Sequence, residues 1–117
     1  MDIELRKERL WALEERRFTS TRIQVVSVTD LGDSVSSILE VGPGSGYFTT
    51  FTKGLGYSVK TADIKPWSDP DFLGDVRELD IQEKFDLVAA FEMLQHIPYS
   101  ELASTLEKFA ALSNRYV

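Results

Sequence analysis

Apolar and polar positions change their spacing three times along the chain. Over residues 3–17, Ile3, Leu10, Leu13 and Arg17 recur at helical intervals beside Trp11, with Asp2 available as an N-cap and no Gly or Pro inside. This predicts an amphipathic helix with a solvated, charged remainder. A second helix is expected over residues 21–30 from a cap at Ser20 or Thr21, although Ile23, Val25, Val26 and Val28 are β-branched. Leu31, Gly32 and Asp33 read as its end. From residue 34 short strand-like runs take over: 36–41, 57–63, a brief one near Phe72 and Leu73, and the nearly continuous FDLVAAF run of 85–91. Between them, residues 47–55 predict a helix with Phe48, Phe51 and Leu55 on one face. Residues 98–112 predict another, capped by Ser100, with Leu102, Leu106, Phe109 and Ala110 turned inward. Residues 64–71, with Pro66 and Pro70, read as loop. Arg115, Tyr116 and Val117 read as the opening of one more strand.

Strands alternating with helices predict an α/β fold, a three-layer sandwich with a mostly parallel sheet and helices on both faces. Residues 1–33 are expected to form an N-terminal helical segment and residues 34–117 the sheet domain. About four strands and a stub are expected. An unfinished sheet would leave the fourth strand as an exposed apolar edge, open to a second copy or a partner chain.

Composition narrows the chemistry. The 117 residues suffice for one domain, and the net charge is −6. Residues 1–22 carry a balance of +1, and the rest carry −7. An acidic body repels a phosphate backbone, which argues against nucleic acid and favours a cationic ligand. Without cysteine there is no disulfide, thiolate nucleophile or Cys-based metal site, and His96 is the only histidine. No run approaches the roughly 18 apolar residues of a membrane span, and the charged N-terminus lacks a signal peptide's apolar stretch. A cytoplasmic protein with no membrane contact is expected.

The strongest local signal is Glu40-Val41-Gly42-Pro43-Gly44-Ser45-Gly46, a glycine-rich turn joining a strand to a helix. Open α/β sheets bind nucleotides at such a place, and glycine lets a ligand approach the backbone. A tight structural turn is the alternative explanation when the loop is taken alone. Asp63 ends the next strand, 19 residues after Gly44, where a carboxylate can accept from both ribose hydroxyls. Loop and acid together point to an adenosine ligand. Tyr47 stands where a dinucleotide fingerprint needs its third glycine, and the Gly-Lys-Ser/Thr of a P-loop is missing. No Lys or Arg flanks the loop to meet a pyrophosphate. Glu40 beside it instead favours a ligand carrying an ammonium or sulfonium.

At this point the chain resembles a known family. Residues 38–46 (ILEVGPGSG) look like motif I of the class I S-adenosyl-L-methionine-dependent methyltransferases, VKTAD at 59–63 like the second motif, and LGDV at 73–76 like the third. FDLVAAFEMLQHIP at 85–98 is similar to the fourth-strand signature of the family's small-molecule branch, with Gln95 replacing the usual Glu before the histidine. The four motifs span about residues 34–112 in family order. The resemblance implies a Rossmann-like fold that binds S-adenosyl-L-methionine (SAM) and releases S-adenosyl-L-homocysteine (SAH). It implies contacts from Glu40 to the methionine ammonium, directly or through water. Gly42, Gly44 and Gly46 would lie close to the ligand, Asp63 would take the ribose hydroxyls, and Ile64 would pack on adenine. Asp75 would accept from the adenine amino group, the Val76 N–H would meet a ring nitrogen, and the Phe91 carbonyl would face the ammonium. Plain packing also accounts for Ile64 and Phe91, and N-capping of a turn over residues 76–79 for Asp75.

Methyl transfer from a sulfonium needs mainly positioning and desolvation. A base is required only when the acceptor loses a proton. His96 and Glu92 are the candidates, with ordering of their loop the alternative role for His96. The family's seven-stranded core exceeds what this chain supplies, so the donor half is present and much of the acceptor half is not. The expected acceptor is a small molecule. A methyltransferase-like module that binds SAM or SAH without turnover remains the second reading. The Asn/Asp-Pro-Pro-Tyr of amino-group methylation is not matched by Phe91-Glu92-Met93-Leu94. A nicotinamide-dependent oxidoreductase is disfavoured by Tyr47, by Glu40 and by the lack of a Tyr-x-x-x-Lys pair, since Ala103 follows Tyr99 at that spacing.

Overall fold

In the computed structural model, residues 3–4, 15–91 and 93–117 are described. The centre of the sheet is β1 (Ser37–Val41), in which every residue after Ser37 is buried. A strand flanked on both edges and covered on both faces has no use for the polar alternation of an exposed strand. It pairs in parallel with β2 (Ser58–Asp63) on one side and β4 (Phe85–Ala89) on the other. β3 (Phe72–Leu73) adds in parallel to β2, and β5 (Ser113–Tyr116) to β4, giving five strands in the order β3-β2-β1-β4-β5. β3 is only two residues long, and the Asp71 carboxylate accepts the Thr61 N–H at 2.8 Å farther back along β2. The expected stub is thus a strand. β4 is paired from Phe85 to Leu87, so the exposed edge lies at β5 rather than along the whole of β4. Beyond Leu87 an apolar cavity of about 390 Å³ flanks β4, between Val28 and Leu31 on one side and Leu106 and Val117 on the other.

Alternate side chains build two cores. Ile38, Val59, Leu87 and Ala89 pack with Val28 of α1 (Glu15–Thr29) and Phe48 of α2 (Tyr47–Gly54). Leu39, Val41, Ala62 and Val88 pack with Phe109 and Leu112 of α3 (Tyr99–Leu112) and with Val76 and Ile81 of the segment before β4. At the opposite end of the sheet from the glycine loop, Asp86 joins β4 to the start of β1. Its carboxylate accepts from the Ser36 N–H, the Ser36 hydroxyl and the Ser37 N–H at 2.9, 3.0 and 3.2 Å. These donors hold its pKa down at about 2.

Several local expectations are corrected. α1 runs unbroken through Ser20 and Thr21, so neither caps a helix there. The expected helix over residues 3–17 falls mostly outside the described residues, with Ile3, Glu4 and Glu15 to Arg17 helical. Ser100 lies inside α3, whose N-cap is Pro98 and which has no side-chain cap. The inner face of α2 is Phe48 and Thr52, while Phe51 and Leu55 are 45% and 59% exposed. In α3 the buried residues are Thr105, Phe109 and Leu112, while Leu106 is 40% exposed and Ala110 faces solvent. The cause is the same in both helices. The Thr52 hydroxyl donates to the Phe48 carbonyl at 2.7 Å, and the Thr105 hydroxyl to the Glu101 carbonyl at 2.7 Å. With its donor satisfied inside the helix, each threonine presents only its methyl to the core.

Candidate functional site

Parallel pairing throughout brings the carboxyl ends of all the strands to one rim of the sheet. There a cavity of about 490 Å³ lies over the ends of β1, β2 and β4. Its wall includes Gly42 and Gly44 from the loop after β1, Asp63 and Ile64 after β2, Asp75 and Val76 after β3, and Phe91 and His96 after β4. Eight of the eleven residues singled out in the sequence thus line one cavity. Glu40 and Gly46 do not line it, and Glu92 lies outside the described residues.

The loop owes its course to its glycines. Gly42, Gly44 and Gly46 have φ values of 72°, 54° and 83°, a region costly for residues with a Cβ. Gly42 has a second constraint: a Cβ there would stand 3.3 Å from Cγ of Met93. Its N–H donates to the Ala62 carbonyl at 2.9 Å, which draws the loop against the end of β2. Gly46 is the N-cap of α2 and accepts from the Thr50 N–H at 2.9 Å. Its place at the base of the helix explains why it stands back from the cavity.

Asp63 is buried at the end of β2, and its carboxylate faces the cavity with both oxygens engaged. The Lys65 N–H donates to Oδ1 at 3.2 Å, and the Ser68 hydroxyl to Oδ2 at 3.0 Å. Two donors still leave lone pairs for a diol. Beside it Ile64 is 66% exposed, an apolar surface held in water within a cavity wall.

Glu40 is 4% exposed on the α2 side of β1. The Thr49 hydroxyl donates to its Oε1, and Oε2 has no hydrogen-bond partner among the described residues. Burial pushes its pKa up to about 7, with the Asp63 charge adding to the rise and the Thr49 bond opposing it. The group is therefore poised to ionise when a cation comes near.

Asp75 takes the capping role as well as its place in the wall. Its backbone carbonyl accepts from the Glu78 and Leu79 N–H groups at 2.9 and 3.0 Å, and Oδ1 accepts the Arg77 N–H at 2.9 Å. The Arg77 side chain closes on the same carboxylate and holds its pKa below the usual range. His96 ends a short 3₁₀ turn, Leu94–His96, and is exposed at the cavity rim. Its ring makes no hydrogen bond among the described residues. Phe91 is half-buried and packs on Phe48 with ring centroids 4.9 Å apart, so the base of α2 braces the cavity wall.

The sequence reading gave no site role to several wall residues, Lys65, Arg77 and Met93 among them. Arg77 could have been found, because a basic residue two positions after an acid in a turn can fold back onto it. Met93 carries no such sign, since its place under Gly42 is a tertiary contact.

A family model described as a methyltransferase domain matches residues 9–115. No curated protein gives a significant match. Among solved structures, the magnesium protoporphyrin IX methyltransferase of Synechocystis PCC 6803 with bound SAM superposes with a TM-score of 0.70 at 18% identity, over 97% of this chain and 61% of that one. A SAM-bound amino pentose methyltransferase from Micromonospora echinaspora, involved in calicheamicin biosynthesis, gives 0.65 at 18% identity, over 81% and 45%. DesVI of Streptomyces venezuelae gives 0.64 at 21% identity, over 80% and 47%. The chain therefore spans roughly half the length of the structures it resembles. At these identities the likeness is one of fold. The family match covers most of the residues, and the chain belongs to the methyltransferase-domain family.

Proposed function

We propose that this chain carries the donor half of a SAM-dependent methyltransferase whose acceptor is a small molecule. The observation that carries the reading is the convergence of Gly42, Gly44, Asp63, Ile64, Asp75 and Val76 on one cavity at the carboxyl rim of a parallel sheet. Three separate segments supply these residues, and they match the needs of one ligand from end to end. Asp63 takes the ribose hydroxyls, and the exposed Ile64 gives adenine an apolar face. Asp75 and the Val76 N–H meet the edge of the base. The loop backbone leaves room for the methionine chain, and Phe91 turns its carbonyl toward the ammonium. Glu40 acts on the ammonium from behind the loop, through water, in keeping with its absence from the wall.

SAM supplies a methyl group already activated as a sulfonium. In the transfer a lone pair of the acceptor forms the bond to the methyl carbon while the carbon–sulfur bond breaks. Its electrons remain on sulfur in SAH. Where the acceptor atom carries a proton, His96 at the rim receives it, and Glu92 is the second candidate. The chain's part is to hold the donor, exclude water beneath it and leave the sulfonium facing the rim. We read the protein as cytoplasmic; among the described residues no helix is long and apolar enough to cross a membrane.

One observation favours a second reading. Because the chain spans about half the length of its structural neighbours, a module that binds SAM or SAH and needs a partner chain for turnover also fits. The contact would lie at β5 and the apolar cleft beside β4, with a second copy as the simplest occupant. Sedimentation showing only monomer at high concentration would remove that occupant. Backbone amide NMR tests the donor site itself. SAH should shift the signals of Gly42, Gly44, Asp63 and Val76 together, and NAD should not. Shifts with NAD alone would overturn the assignment in favour of a dinucleotide.

A further inference from the structure

Arg77 lines the donor cavity and has no part in the reading above. Its contacts are unusually complete for a side chain 29% exposed. A carboxylate offers about four lone-pair directions. At Asp75 one residue fills three of them. The Arg77 backbone N–H donates to Oδ1 at 2.9 Å. Nε–H is shared between Oδ1 and Oδ2 at 3.0 and 3.1 Å, and Nη2–H meets Oδ2 at 2.6 Å. The guanidinium is held at its far end too, because Nη1 donates to Oε2 of Glu101 at 2.6 Å, in the first turn of α3. Backbone and side chain of one residue therefore fix both the position and the plane of the carboxylate. A planar fork anchored at both ends does this, where a lysine would not.

We propose that Arg77 is the specificity-determining residue for the base of the donor. By occupying three sides of Asp75 it leaves a single fixed acceptor at the cavity wall, so the site takes a 6-aminopurine and rejects a 6-oxopurine. The inference rests on the reading that Asp75 meets the edge of adenine. Its chemistry is that of an acceptor with no alternative. A 6-oxo base presents a carbonyl at this position and needs a donor opposite. Asp75 could donate only if it were protonated, and the neighbouring guanidinium opposes protonation. A freely turning carboxyl without Arg77 could tilt, take up a proton or admit a bridging water, and each of these relaxes the choice. Arg77 acts through Asp75 and is thus a positioning residue.

The test is calorimetric titration of the full chain with SAH and with its deaminated analogue, S-inosylhomocysteine. The wild-type chain should prefer SAH by on the order of a hundredfold, the cost of facing a half-buried, charged acceptor with another acceptor. In Arg77→Met that ratio should fall to about tenfold or less, with SAH itself weakened only severalfold. Arg77→Lys keeps the charge and loses the fork, so its ratio should fall as well. It also serves as the readout should the methionine variant misfold. A bridge that only supported the fold would weaken both ligands equally and leave the ratio unchanged, and that result would overturn the proposal. Equal binding of the two ligands by the wild-type chain would also overturn it while leaving the donor site standing. Binding of neither would remove the donor site itself.

Discussion

Glu40 is where burial and charge conflict most sharply. Its ordinary pKa near 4.5 rises to about 7 in the folded chain. In the unfolded chain the group releases its proton near the ordinary value. Below that value it is protonated in both states, and its full stabilising contribution is present. Between the two values only the folded chain retains the proton, so stability falls as pH rises through this window and levels off above 7. The shift corresponds to about 3 kcal/mol. Urea midpoints at pH 5 and pH 8 should show the wild-type chain losing stability relative to Glu40→Gln, and parallel profiles would contradict the assignment. A bound ammonium reverses the preference, so SAH affinity should rise with pH across the same window, with protons released on binding. Gly42→Ala should cost about 1–2 kcal/mol for its left-handed backbone, read by the same urea titration, together with lost SAH affinity. At this scale the positions of Glu40, Gly42, Asp63 and Asp75 were legible because each sits at a strand end fixed by motif spacing. The Arg77 fork and the Met93 contact were not, since a rotamer choice and a tertiary neighbour decide them.

The helices show where periodicity misleads. A count of apolar residues put Leu55, Leu106 and Ala110 inside, yet the inner faces run through Thr52 and Thr105. A hydropathy pattern scores threonine as polar because it cannot see the hydroxyl bonding back to a carbonyl one turn earlier. The prediction follows the observed faces. Phe109→Ala, at 1% exposure, should cost about 3–5 kcal/mol in denaturant unfolding, and Leu55→Ala, at 59% exposure, should stay within about 0.5 kcal/mol. Comparable losses would mean that α2 and α3 are rotated from the faces described. The strands were read more securely, since the apolar stretches of 36–41 and 85–91, broken only by Glu40 and Asp86, contain no threonine for a hydropathy pattern to misplace. β5 was glimpsed only at its end, because its first residues, Ser113 and Asn114, carry no strand signal of their own and are extended by pairing with β4.

At the scale of the whole molecule, the parallel sheet gathers its candidate site residues at one rim and its structural clamp at the other. Asp86 and the two serines it holds belong to the second set. Asp86→Asn should lower the urea midpoint without changing SAH affinity relative to Asp63 variants, because the clamp lies at the far ends of the strands from the cavity. The overall architecture was legible from the alternation of elements. The edge was not, since it depends on how far β5 runs along β4.

The central claim is that the rim cavity binds the methyl donor through Asp63. Isothermal titration of the chain with SAH, beside an Asp63→Ala variant, tests it directly. Saturable one-to-one binding is predicted, weakened about tenfold to a hundredfold by the substitution as a bidentate ribose contact is lost. A folded wild-type chain that takes up no SAH, or one whose affinity is indifferent to Asp63, would contradict it.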